Sequence, residues 1–153
     1  MRLARMTDYA IRLLMYVAQQ PDRLCTIAEV AGAYGISETH LMKITHQLAL
    51  AGWLGTTRGK GGGIRLARPP GQIPLGGVVR TMEPDFFIVE CFSTGNTCSL
   101  TGSCELTGVM DGALRQFMEH LDSHTLADIL PPAPGASRPI RMHPPAKAMV
   151  KAT

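Results

Sequence analysis

Residues 26–66 read TIAEVAGAYGISETHLMKITHQLALAGWLGTTRGKGGGIRL, and this stretch decides the fold. Thr26, with Glu29 three residues on, makes a capping box that opens a short helix from Ile27 to about Tyr34, and Gly35 supplies its stop. Ser37 then caps a further helix in which Leu41, Ile44 and Leu48 recur as an inward stripe until Gly52 ends it. Two helices joined by a short Gly-containing turn make a helix-turn-helix. The next residues read as a β-hairpin: Trp53 to Thr57 as a strand, Arg58 to Gly63 as a flexible basic tip, Ile64 to Leu66 as the return. A tip with two cations and four glycines can approach a phosphate backbone closely. It is not a nucleotide-binding P-loop, because Lys60 is followed by Gly and a strand rather than by Ser or Thr opening a helix. The fold expected is mainly α, a winged helix-turn-helix module.

Upstream, Thr7 is placed to cap a helix whose apolar positions Ile11, Leu14, Met15 and Ala18 run to Pro21. Downstream, Leu75 to Glu83 reads as a short helix and Phe86 to Val89 as an apolar segment. The cleanest periodicity follows: Leu106, Val109, Met110, Ala113, Leu114, Phe117, Met118 and Leu121 keep the i, i+3, i+4, i+7 rule. So long an apolar face beside so small a module predicts a helix-mediated homodimer. Thr125 to Asp128 opens one last helical turn. The expected organisation is a DNA-binding domain over 1–68, a cysteine-loop and dimerisation unit over 69–130, and a disordered tail over 131–153 that holds six of the eleven prolines.

The net charge of +3 conceals segregation. Residues 1–68 carry nine Lys/Arg against four Asp/Glu, residues 69–130 two against eight, and residues 131–153 four against none. A basic first half is what binding to a polyanion requires. With the third helix in the major groove of double-stranded DNA, Glu38, Thr39, His40 and Lys43 become the candidate base readers. Arg58, Lys60 and Arg65 become the positioning contacts to phosphate or the minor groove. For His40 and His46 a surface role without function weighs about equally.

Between the two halves lies Cys91-FSTGNT-Cys98-SLTGS-Cys104. Three thiolates separated by small, turn-forming residues can converge on one centre, Gly95, Asn96 and Gly102 supplying the backbone angles. Zinc and iron–sulfur sites usually take four protein ligands, so another residue completes the set or a position stays open. Cys25, ahead of an apolar helix, reads as a buried, inert thiol. A zinc site and a metal-free thiol switch both fit this spacing. Nothing resembles a catalytic constellation, so an enzyme is not expected. No apolar run can span a bilayer, Arg12 interrupting the one early hydrophobic stretch, and a cytoplasmic protein is expected.

Five stretches carry a family resemblance: Met1-Arg-Leu with Thr7-Asp-Tyr-Ala10; Ile36-Ser-Glu-Thr-His-Leu-Met-Lys-Ile44; Arg58-Gly-Lys-Gly-Gly-Gly-Ile-Arg-Leu-Ala67; Val89-Glu-Cys-Phe92; and His124-Thr-Leu-Ala-Asp128. Together they resemble the NsrR family of bacterial nitric-oxide-sensing iron–sulfur repressors, over residues 1 to about 130. The resemblance implies that Cys91, Cys98 and Cys104 ligate a 4Fe–4S or 2Fe–2S cluster. It implies that Asp8, in the Thr-Asp-Tyr-Ala motif, reaches the cluster of the other subunit, with Glu90 as the alternative; the plain reading of Asp8 is an acid favouring its helix dipole. It implies a homodimer on an inverted-repeat operator, with nitric oxide as the signal. The related IscR regulators of iron–sulfur assembly use a His three residues after the last Cys, where this chain has Thr107.

Overall fold

The computed structural model describes residues 2–131, so the tail beyond Pro131, expected to be disordered, lies outside the described residues. Helix α1 spans Arg5–Ala18 and buries Thr7, Ala10, Leu13, Leu14 and Val17 along one face. Its N-cap is Ala4, three residues before the expected Thr7 cap, and Thr7 is instead fully buried within the first turn. Its hydroxyl donates to the Glu83 carboxylate, which also accepts the Ala4 N–H at 2.8 Å. A carboxylate 76 residues away in the chain thus does the work of a local cap.

Helix α2, Ile27–Tyr34, opens on the Thr26–Glu29 capping box and closes on Gly35 at φ 65°. Helix α3, Glu38–Leu50, is capped by Ser37 and buries Leu41, Ile44, Thr45 and Leu48. Strands β1, Leu54–Thr57, and β2, Gly63–Leu66, pair antiparallel from Leu54 opposite Leu66 to Thr57 opposite Gly63. Cys25 adds a single bridge to Ile64, with N–H···O distances of 2.9 and 2.8 Å. Its thiol is fully buried, as the sequence suggested, and burial pushes it above its ordinary pKa.

Helix α4, Leu75–Met82, buries Leu75, Val78, Val79 and Met82, and lays Val78 and Met82 into the same core as α1 and α3. Helix α5, Glu105–Asp122, runs from the cysteine loop back to α4, and the short α6, Leu126–Ile129, drops Leu126 into the core. Where α4 meets α5, Arg80 grips Asp122 through two bonds of 2.7 and 2.6 Å. Gly76 lies beneath this pair, and a Cβ there would run into the Asp122 carboxylate.

The α5 stripe is the main departure from a self-contained core. Of its eight apolar positions only Met118 is buried, while Leu106 and Val109 are 57% and 66% exposed. Among the described residues no helix is long and apolar enough to cross a membrane.

Candidate nucleic-acid interface and cysteine loop

Because Leu41, Ile44, Thr45 and Leu48 take the inner face of α3, helical spacing turns the positions between them out. Glu38, Thr39, His40 and Lys43 are all exposed. His40 is fixed rather than free. Its Nδ1 lies 2.7 Å from the Ser37 hydroxyl, which also accepts the His40 N–H, and the Tyr9 ring lies 6.4 Å away.

The wing presents Arg58, Lys60 and Arg65, all exposed. Among the described residues none of these, nor Lys43, is in an ion pair, which leaves four cations without a competing carboxylate. Gly59 and Gly61 take φ of 93° and 78° at the tip. Gly62 is there for a second reason, since a Cβ on it would strike the Thr57 carbonyl across the hairpin.

One joint in this module carried no sequence signal. Trp53 donates its backbone N–H to Leu48 of α3 at 2.9 Å and accepts the Ala67 N–H beyond β2 at 3.1 Å. Its indole N–H donates to Thr81 Oγ1 of α4 at 2.9 Å, Arg68 stacks 5.2 Å from the ring, and Gly77 packs on the ring edge. A single residue, through its backbone and its ring, therefore ties α3, the wing and α4 together.

The loop from Cys91 to Cys104 is the second candidate site. All three of its cysteines are free of disulfides, Cys98 exposed and the other two half-buried. Gly95 and Gly102 take φ of 82° and 90°, so the chain reverses where the sequence placed its turns. Local bonds shape it: Glu90 accepts from the Thr97 N–H at 3.2 Å and its hydroxyl at 3.1 Å, and Thr101 donates to Asn96 at 2.6 Å. Cys91 Sγ lies 3.5 Å from Thr107 Oγ1, and Cys104 sits at the N-terminus of α5. Among the described residues no three His, Cys, Asp or Glu side chains stand together as a metal site. The donor set nevertheless suits a thiophilic centre: three free thiols sit on a loop bounded by local contacts, with no core packing to break. Asp8, in the first turn of α1, is paired with Arg12 at 2.8 Å, and both are about half exposed.

A winged helix-turn-helix with a basic reading face, joined to a cysteine loop and a long helix, defines a DNA-binding regulator. The comparisons with known proteins give the family. Residues 3–132 match the model of Rrf2, "Iron-dependent Transcriptional regulator", and the chain belongs to that family. It is 44% identical over 132 residues to the HTH-type transcriptional regulator NsrR of Halalkalibacterium halodurans, covering 85% of this chain and 90% of that one. It is also 41% identical over 148 residues to protein aau3 of Rhizobium meliloti, covering 92% and 96%. Among solved structures, T. potens IscR superposes with a TM-score of 0.67 at 27% identity, covering 84% and 85%. CymR, the global cysteine regulator of B. subtilis, shares the fold at a TM-score of 0.64 and 23% identity, covering 84% and 95%. The protein is a transcriptional regulator of the Rrf2 family.

Proposed function

We propose that this regulator is a nitric-oxide-responsive repressor that binds an inverted-repeat operator as a homodimer. Residues 1–68 act as the DNA-binding domain and 69–130 as the cluster-holding and dimerisation unit. The observation that carries the reading is the loop of three free thiols running directly into a helix whose apolar stripe lies uncovered. Cys91, Cys98 and Cys104 would hold an iron–sulfur cluster, and Asp8 of the partner subunit would complete the ligand set. Such a cluster, when bound, supplies iron that takes up nitric oxide, most readily at the corner held by a carboxylate, the harder and weaker ligand.

The chain's own residues supply the rest. Leu106, Val109, Met110 and Leu114 seat α5 against its copy, which accounts for apolar surface one subunit leaves open. Glu38, Thr39, His40 and Lys43 face the base edges, while Arg58, Lys60 and Arg65 hold the phosphate backbone. Asp8 shares the first turn of α1 with Thr7, whose bond to Glu83 fixes that turn to the end of α4. Movement of Asp8 is thereby a movement of the DNA-binding module. Thr107, standing where an IscR-type His ligand would be, favours nitric-oxide response over iron–sulfur homeostasis.

The deciding experiment is anaerobic purification with iron and sulfide analysis, followed by a joint titration of the visible spectrum and of operator binding with nitric oxide. Native protein and Cys25→Ala should hold iron, sulfide and colour, and should release DNA as the spectrum changes. Cys98→Ala should hold none of the three. Colourless protein carrying stoichiometric zinc, or operator binding indifferent to nitric oxide, would overturn the reading.

A further inference from the structure

The N-terminal half of helix α3 carries one side chain that its polar outer face does not explain. Met42 is 52% exposed, on a helix whose inner face is already filled by Leu41, Ile44, Thr45 and Leu48. Its neighbours one turn away, Glu38 and Thr39 before it and His46 after it, are exposed polar residues, and Lys43 beside it carries a free cation. It is thus an apolar island within the face that meets DNA. The segment around it is strongly basic, nine Lys/Arg against four Asp/Glu over residues 1–68, which suits a polyanion and not a second apolar surface.

We propose that Met42 reads the 5-methyl group of a thymine in the major groove; this rests on α3 being the recognition helix. Each base edge in that groove presents hydrogen-bond donors and acceptors, and the thymine methyl is the one apolar feature among them. A thioether offers almost nothing to donors or acceptors, so what it can distinguish is that methyl. Its unbranched, polarisable chain with three rotatable bonds fits such a target without demanding one backbone placement. Leu50, the other exposed apolar residue of α3, is the last residue of the helix and lies two turns further from its N-terminal half. Base contacts come mainly from that half.

The test uses intact, operator-binding protein and an operator selected from a random duplex library, with each thymine in turn replaced by deoxyuridine. That change removes the methyl and leaves base pairing intact. At one symmetric position, native binding should weaken about fourfold per half-site and about fifteenfold when both half-sites are changed, the factors expected for one buried methyl each. Met42→Ala should bind thymine and deoxyuridine operators alike at that position, and Met42→Leu should keep the discrimination. A flat deoxyuridine scan, or full methyl discrimination by Met42→Ala, overturns the proposal. If Thr39→Ala or Lys43→Ala shifts sequence preference while the scan is flat, Met42 alone is removed. If Met42→Ala, Thr39→Ala and Lys43→Ala all keep native affinity and preference, the recognition-helix reading fails and Met42 with it.

Discussion

Replacing Glu83 by Ala should destabilise the protein through a contact 76 residues long in sequence. Two donors lose their acceptor: the hydroxyl of Thr7, which is fully buried, and the half-buried N–H of Ala4 at the start of α1. A buried hydroxyl left without a partner costs about 1–3 kcal/mol. A lost helix cap costs about 1 kcal/mol more. The sum, roughly 2–4 kcal/mol, corresponds to a fall in Tm of about 10 °C for a chain of this size. Glu83→Gln keeps an acceptor oxygen in place and should cost much less. Urea unfolding at one fixed protein concentration gives the measurement, with an unchanged m-value showing that stability rather than compactness moved. Adding Thr7→Val closes a double-mutant cycle, because Val removes the stranded hydroxyl; the cost of Glu83→Ala should then drop by at least 1 kcal/mol or so. A Glu83→Ala loss below about 0.5 kcal/mol, the scale of an ordinary surface change, would refute the latch, as would an equal loss in both backgrounds.

Three further outcomes are expected. Arg58→Ala with Lys60→Ala should weaken binding to all DNA sequences alike and make the log–log salt dependence shallower by roughly 2, one phosphate each; an unchanged slope would remove the wing from the interface. Leu106→Asp with Val109→Asp should leave the fold intact but shift sedimentation to the monomer, whereas a persistent dimer would place the interface elsewhere. The paired bonds from Arg80 hold the Asp122 carboxyl below its ordinary range, so its contribution is present above the unfolded value near 3.8 and lost as pH falls through the lower folded value. Native stability should therefore exceed that of Asp122→Asn by a constant amount from about pH 5 to 8 and converge on it under acid, and a difference independent of pH down to 2 would contradict the pairing.

The elements whose signals are local were legible in the sequence. The Thr26–Glu29 box, Ser37 and the glycines at 35 and 52 placed α2 and α3, because a cap is a bond between residues three apart. The start of α1 was misplaced for the converse reason. Thr7 has the chemistry of a cap, but its partner is Glu83, and nothing in the first ten residues announces a carboxylate arriving from the end of α4. The exposure of Glu38, Thr39, His40, Lys43 and the wing cations followed from the Leu41, Ile44, Leu48 stripe and the hairpin pattern. The α5 periodicity was equally plain, yet period alone says which residues share a face and not what covers it; within one chain only Met118 is covered. Spacing likewise put Cys91, Cys98 and Cys104 on one loop without fixing where their sulfurs point, which depends on the group they would hold. Met42 carries no local signal of its own, because a methionine in an amphipathic helix reads as core until the inner face is seen to be full.

Trp53 is the chain's sole tryptophan. Its placement makes the junction of recognition helix, wing and α4 optically addressable in the unmodified protein. Indole emission shifts with hydrogen bonding at the ring nitrogen and with nearby charge, and here those are Thr81 and Arg68, one from each side of the junction. Red-edge excitation, which passes over the three tyrosines, isolates that one site. A change in colour or lifetime on adding operator or signal would therefore report the packing of that junction. No label need be attached.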